Sequence, residues 1–536
     1  MARLRSDPRL RQGAAALAVL AVLIGGAFAG LLVEGMRNPA AALAAFDAYL
    51  LRLVRFTLWQ ATLSTLLSVL PALLVARALS RHPRFPGRQV ILQLFAVPLA
   101  LPAIVAALGL LALLGRAGLL ASSLSVLTGG TWPGIYGLSG ILVAHVFFNL
   151  PLATRLFLEA LDTVPADQHR LAAQLGFTPF STFRFIEWPA LRQSLPSVAG
   201  LVFMLCVTSF TLVLTLGGGP RATTLEVAIY QALRFDFDPA RAVSLTLVQL
   251  GVTALVLVLL ARLGADTAGE ANPSVSPRRF HRPSTGERMA NAALIALATL
   301  FVLGPIAATV ISGMSADLAR LLFEDAVRNA AATSLWLSSL AAGLAVLLSL
   351  SLIRARRTLS QDRTGSFRPF RWLTETGAGY VLVIPPIVIG AGWFILLRRA
   401  ADVFALAPAM VILVNGVMAM PFALRLIRPA YEDGANRHDR LCASLGIQGW
   451  QRFRLVDWPV LRRPLLAALA FAMALSLGDL GVIALFGSEQ VQTLPYLLLA
   501  RMSSYRTADA AGLALFLALL TLALMLLADR LGGRRR

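Results

Sequence analysis

About twelve stretches of this sequence each carry some twenty apolar residues with hardly a charge among them, and little else in the chain leaves so few ways to fold. Crossing the hydrocarbon core of a bilayer takes about 20 residues of helix at ~1.5 Å rise each. Inside that core every backbone N–H and C=O needs a partner from its own segment, so such stretches become α-helices. They fall near 13–33, 56–78, 89–114, 135–155, 193–216, 241–262, 290–313, 329–353, 377–397, 407–428, 464–487 and 509–529. With 57% hydrophobic and 14% charged residues, the chain lacks the polar surface of a soluble domain. The expectation is an all-α polytopic membrane protein.

All 48 basic residues are arginine. A nucleotide-binding P-loop needs a lysine to reach the phosphates, so a standard ATP-binding P-loop is excluded and any ATPase motor is another polypeptide. The net charge of +21 does not point to nucleic acid, because the arginines are spread over loops and no compact basic domain holds them. With the N-terminus in the cytoplasm, the seven inward-facing segments hold 35 of the 48 arginines. This positive-inside bias predicts a multi-pass membrane protein with both termini cytoplasmic. The first span follows Arg3, Arg5, Arg9 and Arg11 and contains Ala27-Phe28-Ala29, a pattern shared with signal peptides. Its core of roughly 20 residues exceeds the usual 7–15, so it reads as a retained helix. Cys206 and Cys442 offer neither a disulfide framework nor metal-ligand spacing and read as small buried residues.

The chain repeats itself. Residues 151–192 laid on 421–462 give 16 identities in 42 without a gap, including Pro151/Pro421, Arg155/Arg425, Arg170/Arg440, Gly176/Gly446, Trp188/Trp458 and Pro189/Pro459. Val54-Arg55 and Val327-Arg328 open matching apolar stretches. The plan is two six-helix repeats entering the membrane in the same orientation, hence parallel. The expected divisions are 1–50 (tail, first helix and outer loop), 51–262 (first transmembrane domain), 263–289 (cytoplasmic linker), 290–327 (seventh helix and outer loop) and 328–530 (second transmembrane domain).

Between the fourth and fifth spans of each half lies a cytoplasmic loop with a helical pattern. Pro165 suits the first turn of a helix, Leu171 and Leu175 share a face, and Gly176 ends the run. Leu441, Leu445 and Gly446 repeat this. The segments Ile186-Glu187-Trp188-Pro189 and Val456-Asp457-Trp458-Pro459 then lead back to the bilayer, with proline expected to stop one helix and start the next and the tryptophans at the lipid interface. Two short helices held under a bundle suit docking to a two-fold symmetric cytoplasmic partner.

The strings LAAQLG (171–176) and LCASLG (441–446), each with a proline 13 residues after its glycine, resemble the EAA loop of binding-protein-dependent ABC permeases. That resemblance implies the type I importer permease fold and contact with a cytoplasmic ATPase through Arg170, Leu171, Ala172, Leu175, Gly176, Ile186 and Pro189. In the second copy the corresponding residues are Arg440, Leu441, Leu445, Gly446, Val456 and Pro459. Arg170 and Arg440 stand where the family usually has Glu, and Leu171 and Leu441 where it has Ala. The strings 145–161, 183–192, 203–233 and 235–242 are similar to thiamine ABC transporter permeases, whereas 476–488 also resembles ferric-iron permeases. The resemblance implies one fused permease per complex, two copies of an ABC ATPase carrying ATP-Mg, a periplasmic thiamine-binding protein, and no cofactor on this chain.

Polar groups inside spans are expensive and so are the first candidates for a substrate path. Asp479 in the eleventh span is the strongest, a carboxylate able to face the thiazolium of thiamine, to pair with an arginine or to cap a broken helix; its repeat counterpart is Ser209. His145, Asn149 and Asn415 follow. No metal site and no catalytic constellation is visible, so the chain reads as a transport subunit and not an enzyme. The alternatives are a ferric-iron permease of the same plan and, from another class, an ion-coupled secondary transporter.

Overall fold

The computed structural model describes residues 7–37, 39–262, 284–360, 370–374, 381, 384–398, 402–447 and 449–532. Among the described residues there is no strand, and ten helices are long and apolar enough to cross a membrane. The first half contains α1 (Pro8–Arg37), α2 (Ala48–Arg81), α3 (Arg88–Ala100), α4 (Ala103–Leu114), α5 (Leu138–Asp162), α6 (Ala166–Gln174), α7 (Pro179–Val207), α8 (Thr211–Leu216), α9 (Leu225–Arg234) and α10 (Pro239–Arg262). The second contains α11 (Thr285–Met314), α12 (Asp325–Ser360), α13 (Pro386–Leu397), α14 (Ala407–Ser444), α15 (Gly449–Leu477), α16 (Gly481–Phe486), α17 (Leu494–Ser503) and α18 (Thr507–Gly532). Most of the expected linker, 263–283, lies outside the described residues. Its last five positions are helical: Ser284 and Glu287 form a reciprocal capping box that starts α11.

Four expected spans are not simple rods. The third is bent by 113° between α3 and α4. Leu101 is extended because the following Pro102 disfavours helical geometry, and Pro102 then caps α4. Pro385 caps α13 in the same way, and the ninth span is represented by those 12 helical residues. The fifth and eleventh spans are interrupted at 208–210 and 478–480, after which short helices α8 and α16 resume. The tenth runs on without a break: α14 extends 38 residues, because Ala435 stands where Pro165 separates α5 from α6. Pro165 itself is the N-cap residue of α6, one position before the first turn expected from the sequence.

The first helix of each half packs on the other half. α1 lies along α12 and α13, and α11 lies along α4 and α2. Small residues set these crossings, as they do where lipid offers no hydrophobic drive between helices. A Cβ on Gly392 would sit 2.2 Å from the Ala27 carbonyl oxygen, and one on Gly109 2.3 Å from Thr309 Oγ1 and 2.5 Å from the Pro305 oxygen. Gly109 and Gly392 occupy equivalent places, six residues into α4 and α13. Beside Gly392, the Trp393 indole donates 2.7 Å to the Leu23 carbonyl.

Several buried hydroxyls are satisfied within their own helix. Thr65, Ser68, Thr246 and Ser349 each donate to the carbonyl four residues back. Two other hydroxyls serve neighbouring helices. Thr57 Oγ1 accepts the Leu225 N–H at 3.1 Å, and Ser334 Oγ accepts the Leu494 N–H at 2.7 Å. These bonds cap α9 and α17 at corresponding points of the repeat, where a buried helix N-terminus would otherwise lack acceptors.

Gly392→Ala is expected to cost about 1–3 kcal/mol by overpacking the α1–α13 crossing. Gly343→Ala, where a Cβ meets nothing within 4 Å, is expected to be neutral or slightly stabilising. Thermal unfolding of the two variants in detergent checks the contrast.

Candidate functional site

The two interrupted spans, one from each half, line a half-open cavity of about 320 Å³ together with the ends of α3, α4, α9 and α13 and one face of α5. His145 and Asn149 reach it from α5, Ser209 from the first interruption, and Asp479 from the second. The repeat-related pair Ser209 and Asp479 thus faces one space. Asp479 does two things there. It lines the cavity, and its carboxylate accepts the Gly481 and Val482 N–H groups at 3.3 and 3.4 Å, capping α16. Asn415 does not line the cavity; its amide donates 3.1 Å to Ser476 Oγ and supports the Asp479 carboxylate from behind.

The other lining groups are fixed by neighbours. His145 Nδ1 is 2.8 Å from Ser64 Oγ, and the Asn149 amide donates to Cys206 Sγ at 3.4 Å. Both cysteines are free and buried. Phe148 and Phe210 supply aromatic walls. Glu226, in the first turn of α9, also faces the cavity and is buried. It does not stand out in the sequence because 217–240 reads as an outer loop. The signal was nevertheless present: a lone acidic residue in the apolar run Leu225-Glu226-Val227-Ala228-Ile229.

The repeated loops lie at the arginine-rich end of the bundle. Leu171 and Leu175, and likewise Leu441 and Leu445, are more than half exposed, with Arg170 and Arg440 exposed beside them. Gly176 and Gly446 terminate their helices with φ of +66° and +65°, in the left-handed region. Underneath, Ala172 and Ile186 are buried together with Val164, whereas Val456 in the second copy is half-buried. The prolines do not break the chain. Phe183–Glu187 and Phe453–Asp457 form single π-helical turns, with the Trp188 and Trp458 N–H groups bonding five residues back. Pro189 and Pro459 have no N–H and crowd the carbonyl four residues earlier, and the wider turn relieves that clash. α7 therefore runs continuously from the exposed loop to the interruption at the cavity, and so does α15. Trp188 stacks near Phe183 at 5.9 Å, and Trp458 is the more exposed of the pair.

Each loop is pinned to the second helix of its half. Glu187 accepts from Arg77 Nε at 2.8 Å and Arg81 Nε at 3.4 Å, and both arginines also donate to the Pro179 carbonyl. In the second half Asp439 accepts from Arg357 at 2.9 Å and from Arg452, which also reaches Asp457. The Arg77 guanidinium lies 4.5 Å over the Phe183 ring and that of Arg354 5.5 Å over Phe453. Glu187→Ala removes the carboxylate that both arginines share. It is expected to lower the local opening free energy by about 2 kcal/mol, or roughly thirtyfold faster amide exchange across 179–187. Hydrogen exchange followed by mass spectrometry reads this directly.

The family described as binding-protein-dependent transport system inner membrane component matches residues 68–267 and again 364–534. The chain is 57% identical over 524 residues to the thiamine transport system permease protein ThiP of Brucella abortus (strain 2308), covering 98% of this chain and 95% of that one. To the protein of the same name in Escherichia coli (strain K12) it is 44% identical over 489 residues, covering 91% and 90%. A probable molybdenum ABC transporter permease of Haloferax volcanii is 34% identical over 199 residues, 37% of this chain and 70% of that one. A duplicated match over well-separated halves, together with full-length relatives, places this chain among the inner-membrane permease components of binding-protein-dependent transport systems.

Proposed function

We propose that the chain is the permease of an ATP-driven importer that carries thiamine from periplasm to cytoplasm. The observation that carries this is the seam cavity, where Asp479 offers a carboxylate to a cationic ring between the aromatic walls Phe148 and Phe210. The full-length relatives named as thiamine permeases support the same substrate. The arginine-rich end is cytoplasmic, as are both termini. Two copies of an ABC ATPase, carrying ATP-Mg, dock on the exposed faces of Leu171, Leu175, Leu441 and Leu445, with Arg170 and Arg440 at the rim. Ala172, Ile186, Val456, Pro189 and Pro459 set the shape behind those faces. A periplasmic binding protein delivers the substrate to the opposite end of one fused permease per complex, and this chain binds no cofactor of its own.

Coupling follows from the continuous helices. α7 spans 29 residues from the loop to the interruption, about 43 Å at ~1.5 Å per residue. Closure of the ATPase pair displaces the loop ends of α7 and α15, and the movement arrives beside Ser209 and Asp479. The cavity then exchanges access from one side of the membrane to the other, and the substrate crosses unchanged.

Thiamine uptake into proteoliposomes holding this chain, its ATPase and its binding protein is expected to require ATP. Iron uptake in place of thiamine, or uptake independent of the ATPase, overturns the reading. In the same assay Gly176→Val with Gly446→Val should uncouple ATP hydrolysis from uptake, since a β-branched residue in left-handed geometry costs about 1–2 kcal/mol at each site. Asn, which tolerates that geometry, should retain most uptake at both positions.

A further inference from the structure

We infer that Glu226 is a substrate-specificity residue, which together with Asp479 forms a two-carboxylate site for a flat organic monocation at the seam of the two halves. The inference rests on the importer reading above and adds a residue and a recognition chemistry to it.

Glu226 is 1% exposed, and its Oε1 has no hydrogen-bond partner. A carboxylate held away from water with an unpaired oxygen is costly, and the remedies are a proton, a partner charge or hydrogen bonds to both oxygens. Among the described residues that line the cavity there are two carboxylates, Glu226 and Asp479, and no arginine. No lining side chain is a cation that would answer these two acidic groups when ionised, so a cationic ligand entering the cavity would meet them unopposed.

The repeat argues that the arrangement serves cargo and not the fold. The hydroxyl caps from Thr57 to Leu225 and from Ser334 to Leu494 align α9 with α17, and the position after Leu494 is Pro495. The scaffold therefore does without a carboxylate at that place in the second half. Conversely, Asp479 has Ser209 as its counterpart, so the first half does without one at its interruption. Each half contributes one acidic group, from non-equivalent places, and both face the same cavity.

The surroundings select the kind of cation. A hard divalent ion gathers six or more oxygen ligands, and among the described residues no cluster of three or more metal-ligating side chains exists. Phe148 and Phe210 instead offer aromatic surface, suited to a weakly hydrated, delocalised positive ring. Asp479 is already engaged by two backbone N–H groups, which leaves Glu226 as the less committed of the two.

The test uses the reconstituted complex, with uptake measured for thiamine and for an isosteric analogue whose thiazolium is replaced by a neutral thiophene ring. Glu226→Gln keeps size and removes charge. It is expected to lower thiamine uptake at limiting concentration about tenfold or more, the scale of one hydrogen bond to a charged group, and to affect the neutral analogue far less. Glu226→Asp should recover part of the loss. Asp479→Asn, which keeps a capping oxygen, should likewise penalise thiamine more than the analogue. Equal loss for both substrates in Glu226→Gln, or thiamine uptake at the wild-type level, overturns the assignment while leaving the importer reading intact. A wild-type complex that imports no thiamine overturns that reading and this inference with it.

Discussion

In hydrocarbon a helix cannot be interrupted unless something replaces the hydrogen bonds it gives up. That constraint governs where this protein departs from a bundle of plain rods. The departures fall at 208–210 and 478–480, in the fifth and eleventh spans, and at the bend between α3 and α4. At the second interruption Asp479 supplies the missing acceptors for α16, while Thr57 and Ser334 do so for α9 and α17. The same irregularities open the seam to a cavity lined by polar groups. Irregular backbone and the candidate site coincide because the polar atoms that license the one also furnish the other.

Duplication explains much of the scaffold and little of the site. The π-helical turns before Trp188 and Trp458, the left-handed glycines 176 and 446, and the glycine crossings at 109 and 392 occur twice. The charged groups have drifted. Glu187 holds two arginines of α2, whereas Asp439 and Asp457 share Arg357 and Arg452 by a different route. Ala435 in place of Pro165 turns two helices into one. The two repeated loops are therefore alike at their glycine ends and unlike in how they join the bundle.

The spans were legible because twenty apolar residues in a row have one outcome in lipid, and the repeated loops because Gly and Pro recur at fixed spacing. The interruption at Ser209 was not, since it sits inside a stretch whose hydropathy never falls far enough to mark an end; the one at Asp479 was signalled only by the carboxylate itself, one reading of which is the cap of a broken helix. Four of the five polar residues singled out, His145, Asn149, Ser209 and Asp479, line one cavity; Asn415 stands behind it. The prolines misled. Read locally, Pro189 and Pro459 stop a helix, but the surrounding bundle holds the chain helical and a widened turn absorbs the clash. Glu226 was hidden by assigning its segment to a loop, and the anchoring role of Arg77, Arg81 and Arg357 by their long sequence distance from Glu187 and Asp439.

The exchange of first helices bears on how the protein is made. α1 leaves the ribosome first, yet Leu23 meets Trp393 370 residues later. Through most of synthesis α1 stands in the bilayer with lipid against Gly26 and Gly30, where α13 will eventually lie. A helix this apolar can wait there, because lipid chains are as good a neighbour as leucine until closer packing becomes available. The first half, though complete in sequence by residue 262, is complete in packing only once α13 has been made.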